Sequence, residues 1–504
     1  MKNLAHQNIL VLGLGASGLA LARWCARFGA HVTVADTRPE PPQLAALQAS
    51  VPAAKFVTSP MDEALLAGAA FDLVLKSPGL SPASIRGVVV AAAQAQGIAC
   101  GNELSLFAQA LADLKQDQAY APKVIGITGT NGKTTVTSLT GQLVEHAGKS
   151  VAVAGNIGPT LLDTLAEKLD AHQGDEKLAL PEVWVLELSS FQLDGVSNFE
   201  PAVATVLNIS QDHLDWHETL PAYIAAKANV YGSGGLMLLN RDDPLVMAAL
   251  PALVKGKQTR SYLTFGGDEP RRPGDYGIQT VNGMAWLVRA AEADETIKRR
   301  KTEEPVLHIQ RLMPLEALRI QGRHNATNAL AALGLAVAVG CTLAPMLHGL
   351  REYRGEPHRV ESVAVLDGVE YFDDSKGTNV GATVAALAGL GADRRLVLIL
   401  GGEGKGQDFS PLADPVARYA RAVVLIGRDA PLIRQALQGL QIELLDAASM
   451  TEAVSLAAGQ ARSGDAVLMS PACASFDMFD NYEHRAQVFC DAVQELAVEQ
   501  GAVL

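Results

Sequence analysis

At 504 residues the chain exceeds what one hydrophobic core ordinarily organises, and three domains of common size are expected. Apolar residues make up 48% of it and aromatics only 5%, which together with abundant Ala and Gly suits helices packed on sheets. A formal charge of −13 argues against nucleic acid as a partner, and no run is long and apolar enough to span a membrane.

Cys25, Cys100, Cys341, Cys473 and Cys490 are scattered without CxxC spacing, so neither a zinc ribbon nor a disulfide framework is indicated. A reducing, cytoplasmic setting fits. The N-terminal apolar segment has three glycines and no basic cluster before it, which reads as a buried strand and turn rather than a signal peptide.

The first unit opens with the apolar run Asn8-Ile9-Leu10-Val11-Leu12 and continues as Gly13-Leu14-Gly15-Ala16-Ser17-Gly18 and an apolar helix. A second strand ends in Asp36. This spacing matches a dinucleotide fingerprint, yet such a turn cradles any nucleotide diphosphate, because a helix N-terminus recognises charge. Ser77-Pro78-Gly79, at the end of another strand, borders the same crevice. The βαβ rhythm implies a parallel sheet, and residues 115–122 read as a linker.

The second unit starts with Val124-Ile125-Gly126-Ile127, followed by Gly129-Thr130-Asn131-Gly132-Lys133-Thr134-Thr135 and a helical pattern. Strand, glycine loop, Lys-Thr and helix make a phosphate cradle: backbone N–H groups converge on phosphate, Lys133 reaches the β/γ-phosphates and Thr134 offers a hydroxyl to Mg²⁺. The loop is a variant, with Ile127 where the common pattern has glycine. Glu187 ends the buried-strand run Val183-Trp184-Val185-Leu186, and Asn208 to Asp215, containing His213, follows another strand. Carboxylate, imidazole and phosphate at adjacent strand tips can share a divalent metal. Residues 266–315 read as a β-rich excursion with a charged loop at 289–304, and a helix from Asn325 to Val339 closes the unit.

Arg354-Gly355-Glu356-Pro357 reads as a second hinge, followed by Pro357-His358-Arg359. A third doubly wound unit carries the loops Asp373-Asp374-Ser375-Lys376-Gly377-Thr378-Asn379 and Gly401-Gly402-Glu403-Gly404-Lys405 after its strands. The expected architecture is therefore α/β in three domains: Rossmann-like at 1–121, P-loop ATPase-like with a mostly parallel sheet at 122–355, and Rossmann-like at 356–504.

The phosphate loop, Gly155-Asn156-Ile157-Gly158, Glu187-Leu188-Ser189-Ser190-Phe191-Gln192-Leu193, Asp212-His213-Leu214-Asp215, His324-Asn325-x-x-Asn328, Pro357-His358-Arg359 and Asp374-Ser375-Lys376 occur in order. Together they resemble the Mur ligases of bacterial cell-wall synthesis, over almost the whole chain. Ser470-Pro471-Ala472-Cys473-Ala474-Ser475-Phe476-Asp477 and the N-terminal glycine turn look like the branch that adds D-glutamate. The stretches near 170–181 and 289–304 look like additions to the family pattern.

The resemblance implies ATP and two Mg²⁺ ions as cofactors, and UDP-N-acetylmuramoyl-L-alanine and D-glutamate as substrates of a monomer. It places Gly15, Ala16, Ser17, Asp36, Thr37, Arg38, Ser77, Pro78 and Gly79 on the UDP precursor. ATP would meet Gly129 to Thr135, Asn325, Asn328, Arg359 and Asp374. Lys133, Asn156, Ser189, His213 and Lys227 would form the reaction centre. Thr134, Glu187, His213 and a carbamylated Lys227 would face metal. Thr378, Lys405, Ser475 and the backbone of Tyr482 would hold D-glutamate. Without the resemblance Lys227 reads as a surface helix lysine.

Other readings explain less. A NAD-linked dehydrogenase uses the first unit alone, and a regulatory NTPase leaves the third unit's loops idle. A folylpolyglutamate synthase shares the second and third units but is less similar in the first.

Overall fold

The computed structural model describes residues 4–68, 70–81, 88–175, 177–293, 306–392 and 394–500. The first unit holds strands β1 (Asn8–Leu12), β2 (His31–Asp36), β3 (Lys55–Thr58), β4 (Leu73–Lys76) and β5 (Ala99–Gly101) in the order β3-β2-β1-β4-β5, all parallel. β1 lies mid-sheet and is buried from Ile9 to Leu12, as its unbroken apolar run requires when helices cover both faces.

The central unit has β6 (Lys123–Thr128), β7 (Val151–Gly155), β8 (Val183–Glu187), β9 (Val203–Val206), β10 (Leu236–Asn240) and β11 (Tyr262–Phe265). Their order is β11-β10-β9-β6-β8-β7, again all parallel. From β6 the chain proceeds to one side through β7 and β8, then crosses to the other through β9. The crevice beyond β6 is thus a topological switch point, where open α/β sheets bind ligands. A small antiparallel sheet of β12 (Tyr276–Val281), β13 (Met284–Glu292) and β14 (Leu307–Pro314) forms the expected β-rich excursion. Most of the charged stretch at 289–304 lies outside the described residues.

The third unit contains β15 (Glu361–Leu366), β16 (Val369–Asp373), β17 (Leu396–Gly401), β18 (Ala420–Ile426), β19 (Glu443–Asp446) and β20 (Ala466–Met469), ordered β15-β16-β20-β17-β18-β19. Only β15 runs antiparallel to its neighbour. β20 inserts between β16 and β17, so the loops after all three strands open on one edge.

Two boundaries differ from the sequence reading. The helix Glu103–Gln118 runs through the first half of the supposed linker, started by an Asn102–Ser105 capping box and ended at Ala119 in the left-handed region. Its polar C-terminal residues are an exposed helix face, while Phe107 packs edge-on against Trp184 of the central sheet with centroids 5.1 Å apart. Arg27 and Arg23 add ion pairs to Asp170 and Asp163 of the central unit. The helix Arg323–Ala338 does not close the central unit, since a second helix, Leu343–Glu352, follows it. Among the described residues no helix is long and apolar enough to cross a membrane.

Candidate active site

The loop after β6 is held by side chains from neighbouring strand tips. Gly132, at φ +82°, caps the helix Lys133–His146, and a Cβ there would sit 2.9 Å from Asn328 Oδ1. Asn208, just past β9, accepts from the Asn131 N–H at 2.8 Å and donates back to its carbonyl at 3.0 Å. Thr130 Oγ1 meets the Tyr223 hydroxyl at 3.0 Å and accepts from the Ser210 N–H at 3.0 Å. Lys133 curls over its own loop, its Nζ donating to the carbonyls of Gly129 at 2.9 Å and Thr130 at 2.8 Å. Desolvation lowers the Lys133 ammonium from its ordinary range; Glu187 and Asp212 oppose that shift, and Arg359 reinforces it.

Register brings the chemical groups beside this loop. Ile127 pairs with Glu187 on β8, and Thr128 pairs with Val206 on β9, so both expected strand tips flank β6. Glu187 is 1% exposed; its Oε1 accepts from Asn156 Nδ2 at 3.0 Å, while Oε2 has no partner among the described residues.

Lys227 is not a surface residue: it is 2% exposed, donates to the Gly129 carbonyl at 2.8 Å and lies 4.6 Å over the Tyr223 ring. Its helix, Leu220–Ala228, turns this face onto the phosphate loop. Burial, with Lys133 nearby, pushes the Lys227 amine well below the lysine range.

His213 lies edge-on to Phe191, centroids 4.6 Å apart, with its Nε2 3.7 Å from an Asp212 carboxylate oxygen. The Ser189 hydroxyl is engaged as the N-cap of the short helix Ser190–Leu193, accepting from the Gln192 N–H at 3.2 Å.

The third unit reaches across. Arg359 donates to Thr134 Oγ1 at 2.8 Å, and the side-chain amides of Asn131 and Asn379 exchange hydrogen bonds of 3.3 and 3.2 Å. A cavity of about 260 Å³ lies between the units, lined by Lys133, His213, Arg359, Lys376, Thr378 and Lys405. A neighbouring cavity of about 220 Å³ collects Gly132, Thr135, Asn325, Asn328, Arg359 and Asp374. Burial raises the Asp374 carboxyl to about 7, although the Ser470 hydroxyl donates to it at 2.6 Å. Ser475 and Tyr482 do not line the larger cavity. Ser475 is 2% exposed, and Tyr482 places its ring 3.5 Å beneath the Lys376 amine.

A separate cavity of about 420 Å³ in the first unit is lined by all the residues expected there, from Gly15, Ala16 and Ser17 through Asp36, Thr37 and Arg38 to Ser77, Pro78 and Gly79. Asp36 anchors the turn, accepting from the Leu14 N–H at 2.8 Å and from the Arg38 guanidinium at 2.9 and 3.0 Å. Burial alone would raise its carboxyl, but the hydrogen bonds from Arg38 and Leu14 hold it down to about 2.

Residues 127–336 match the family model "Mur ligase middle domain", 358–473 the "Mur ligase, glutamate ligase domain", and 7–101 the "Mur ligase MurD-like, N-terminal domain". A UDP-N-acetylmuramoylalanine–D-glutamate ligase of Albidiferax ferrireducens is 66% identical, the alignment covering 100% of this chain and 99% of that one. One from Polaromonas is 60% identical, with 100% of both chains covered. The chain belongs to the Mur ligase family.

Solved structures agree in fold. The Thermotoga maritima MurF ligase in complex with ADP gives a TM-score of 0.57 at 15% identity, covering 99% of this chain and 97% of that one. A pseudomurein peptide ligase type C from Methanothermus fervidus gives 0.54 at 17% identity, covering 97% and 100%. Mur ligases use ATP, which accounts for the phosphate loop.

Several residues at this Mur ligase site escaped the sequence reading. Asn208 and Asn379 lie inside loops already marked by their polar residues, without a sign of which residue braces the phosphate loop. Lys376 lines both inter-unit cavities, and desolvation with Arg359 nearby lowers its amine to about 8. Tyr223 had one legible signal: it precedes Lys227 by four positions, which puts both on one helix face.

Proposed function

We propose that this Mur ligase joins D-glutamate to UDP-N-acetylmuramoyl-L-alanine at the expense of ATP, in peptidoglycan precursor synthesis. The observation that carries the reading is the cavity of about 260 Å³ where Lys133 of the phosphate loop, His213 of a strand tip, and Thr378 and Lys405 of the third unit face one space. A transferring phosphoryl and an amino-acid acceptor need such a shared space. On this reading the enzyme is a monomer in the cytoplasm, where five cysteines without CxxC spacing or a disulfide fit a reducing setting.

The first-unit cavity would take the UDP moiety, with Asp36 and Arg38 near uridine and the glycine turn on the diphosphate. ATP would lie over Gly129 to Thr135 with its adenine near Asn325 and Asn328. The substrate carboxylate attacks the γ-phosphorus and ADP leaves. Lys133 and Arg359 offset charge on the transferring group. The amine of D-glutamate then attacks the acyl phosphate, inorganic phosphate departs, and the amine's protons pass to water. Lys405 would pair with an acceptor carboxylate, with neutral donors from Thr378, Ser475 and the backbone of Tyr482. Contact between the third unit and the phosphate loop keeps water from the acyl phosphate.

The site fits magnesium: Glu187 Oε2 is a buried carboxylate oxygen with no partner among the described residues, on a strand tip where Glu187 pairs with Ile127 just before the phosphate loop. Thr134, Glu187, His213 and a carbamylated Lys227 would hold two ions, with Asn156 and Ser189 bordering the centre. Magnesium there would neutralise phosphate charge. The lowered basicity of Lys227 favours the neutral amine, the form that combines with carbon dioxide.

The test is phosphate release with UDP-N-acetylmuramoyl-L-alanine and ATP, offered D-Glu, L-Ala, L-Lys or meso-diaminopimelate. Release with D-Glu alone is expected. Equal release with any other acceptor, or without one, overturns the proposal.

A further inference from the structure

The helix Tyr482–Glu499 is capped by Asn481, whose side chain accepts from the His484 N–H at 2.7 Å. The next residue, Arg485, is 1% exposed and reaches two loops of the third unit. Its Nε donates to Ser375 Oγ at 3.1 Å and its Nη2 to the Ser375 carbonyl at 2.8 Å, in the loop after β16. Its Nη1 donates to the Cys473 carbonyl at 3.1 Å, in the loop after β20. Ser375 Oγ in turn donates to the Tyr482 carbonyl at 2.8 Å, which closes the network on the first residue of the helix. A guanidinium suits this place because its planar fork holds several donors at fixed angles, whereas a lysine ammonium is a single point on a flexible stem.

The three segments joined here are those read above as holding the amino-acid acceptor. Thr378 follows Ser375 in one loop, Ser475 follows Cys473 in the other, and Tyr482 is itself part of the network. We infer that Arg485 is a positioning residue for the acceptor: its guanidinium locks the loops after β16 and β20 to the start of the last helix, so that Thr378, Ser475 and the backbone of Tyr482 meet D-glutamate at a fixed spacing. This rests on the proposed use of those three residues. Arg485 does not line the cavity of about 260 Å³, so it acts through them.

The physical gain is preorganisation. D-glutamate must be held at two carboxylates while its amine stays free, and segments that were not already fixed would have to be ordered by the amino acid itself, which weakens binding. Burial lowers the Arg485 guanidinium to about 10, with Cys473, Asp477, Asp373 and Asp374 opposing the shift, so the fork keeps all its protons at neutral pH. The residues read as the ATP site are held by other contacts: Arg359 by Thr134, Asn325 by the Gln321 carbonyl, and Asn328 by Asn325.

Steady-state kinetics and thermal unfolding of the full chain test this together. Arg485→Met should raise the KM for D-glutamate about tenfold, with kcat and the KM for ATP changed by no more than about threefold. Arg485→Lys keeps a donor for one loop and should raise the KM for D-glutamate about threefold. Ser375→Ala removes the Nε acceptor and the link to Tyr482 but leaves both carbonyl bonds, and should also raise it about threefold. Calorimetric binding of the UDP precursor should stay unchanged in all three. A merely structural arginine would lower the melting temperature and the active fraction, hence kcat, and leave the KM for D-glutamate in place. That outcome, or an equal rise in the KM for every substrate, overturns the inference. If Arg485→Met fails to fold, Arg485→Lys and Ser375→Ala decide by the same criterion. Lys405→Ala with an unchanged KM for D-glutamate would instead remove the acceptor site itself, a distinct failure.

Discussion

Two strand–glycine–helix turns in this chain look alike in sequence and are built differently. The turn after β1 is completed within its own unit: Ser77 Oγ donates to the Gly13 carbonyl at 3.0 Å, Asp36 takes the Leu14 N–H, and a Cβ on Gly18 would lie 1.9 Å from the Gly13 oxygen. The turn after β6 is braced by two units. Asn208 and Tyr223 hold it from the central one, and Asn379 and Arg359 reach it from the third. Only the second surrounds its phosphate position with lysines of lowered basicity, Lys133 and Lys227. On the proposed reading, the same backbone device holds a diphosphate in one place and serves phosphoryl transfer in the other. What separates the roles is the neighbouring side chains and whether another domain must arrive.

The largest effect should come from removing the charge that distinguishes the two. Lys133→Ala should cut phosphate release by about a thousandfold, the scale of losing one preorganised electrostatic group. Calorimetric binding of the UDP precursor should not change. Turnover within a few-fold of wild type would mean the second turn only binds, and the contrast would collapse.

Asp36→Ala attacks the self-contained turn. It deletes the acceptor of the Leu14 N–H and the partner of Arg38, and should weaken precursor binding by about thirtyfold, on the scale of about 2 kcal/mol for a hydrogen-bonded charge. The KM for ATP should stay within twofold. Parallel loss of both affinities would show that the units are not independent. NAD should give no thermal protection, whereas the UDP precursor should.

Legibility in the sequence followed the range of the interaction. β6, the phosphate loop and Glu187 were readable because an unbroken apolar run sets a parallel strand and the polar residue ending it marks the tip. The grouping of the first-unit residues was readable for the same reason, since Asp36 and Ser77 end strands beside β1. Lys227 was not: burial of a helix lysine depends on what packs over it, here the loop carbonyl of Gly129. The end of the helix Glu103–Gln118 was also hidden, because polar residues mark an exposed helix face and a linker alike. The amide exchange between Asn131 and Asn379 joins two domains, and no local pattern encodes it. The family resemblance reached Lys227 but not Asn379 or Tyr223.

A smaller effect should separate the acceptor side from both nucleotide turns. Lys405→Ala should raise the KM for D-glutamate about tenfold, in line with a charge-assisted contact, and Ser475→Ala about threefold as a neutral one. Neither should alter precursor binding. Steady-state titration of each substrate reads this. A change in the KM for ATP alone would make the third unit a nucleotide lid.

The smallest effect probes the bridge between units. Asn379 does two jobs: its Oδ1 caps the helix Val380–Leu390 by accepting from the Ala382 N–H at 2.9 Å, and its amide pairs with Asn131. Asn379→Ser keeps a capping oxygen but is too short to pair with the loop, so it isolates the second job. The pair is part-buried and uncharged, and a neutral hydrogen bond of this kind is worth about 0.5–1 kcal/mol, or roughly a two- to fivefold effect. Because Asn131 belongs to the phosphate loop and Asn379 follows Thr378, that loss should fall on ATP and D-glutamate together and leave the UDP precursor untouched. A double-mutant cycle with Asn131→Ala should recover the same energy as a coupling term, since each single change already breaks the exchange. Zero coupling, or a penalty confined to one substrate, would mean that the third unit's approach to the phosphate loop is not held by this pair, leaving Arg359 on Thr134 as the contact that joins them.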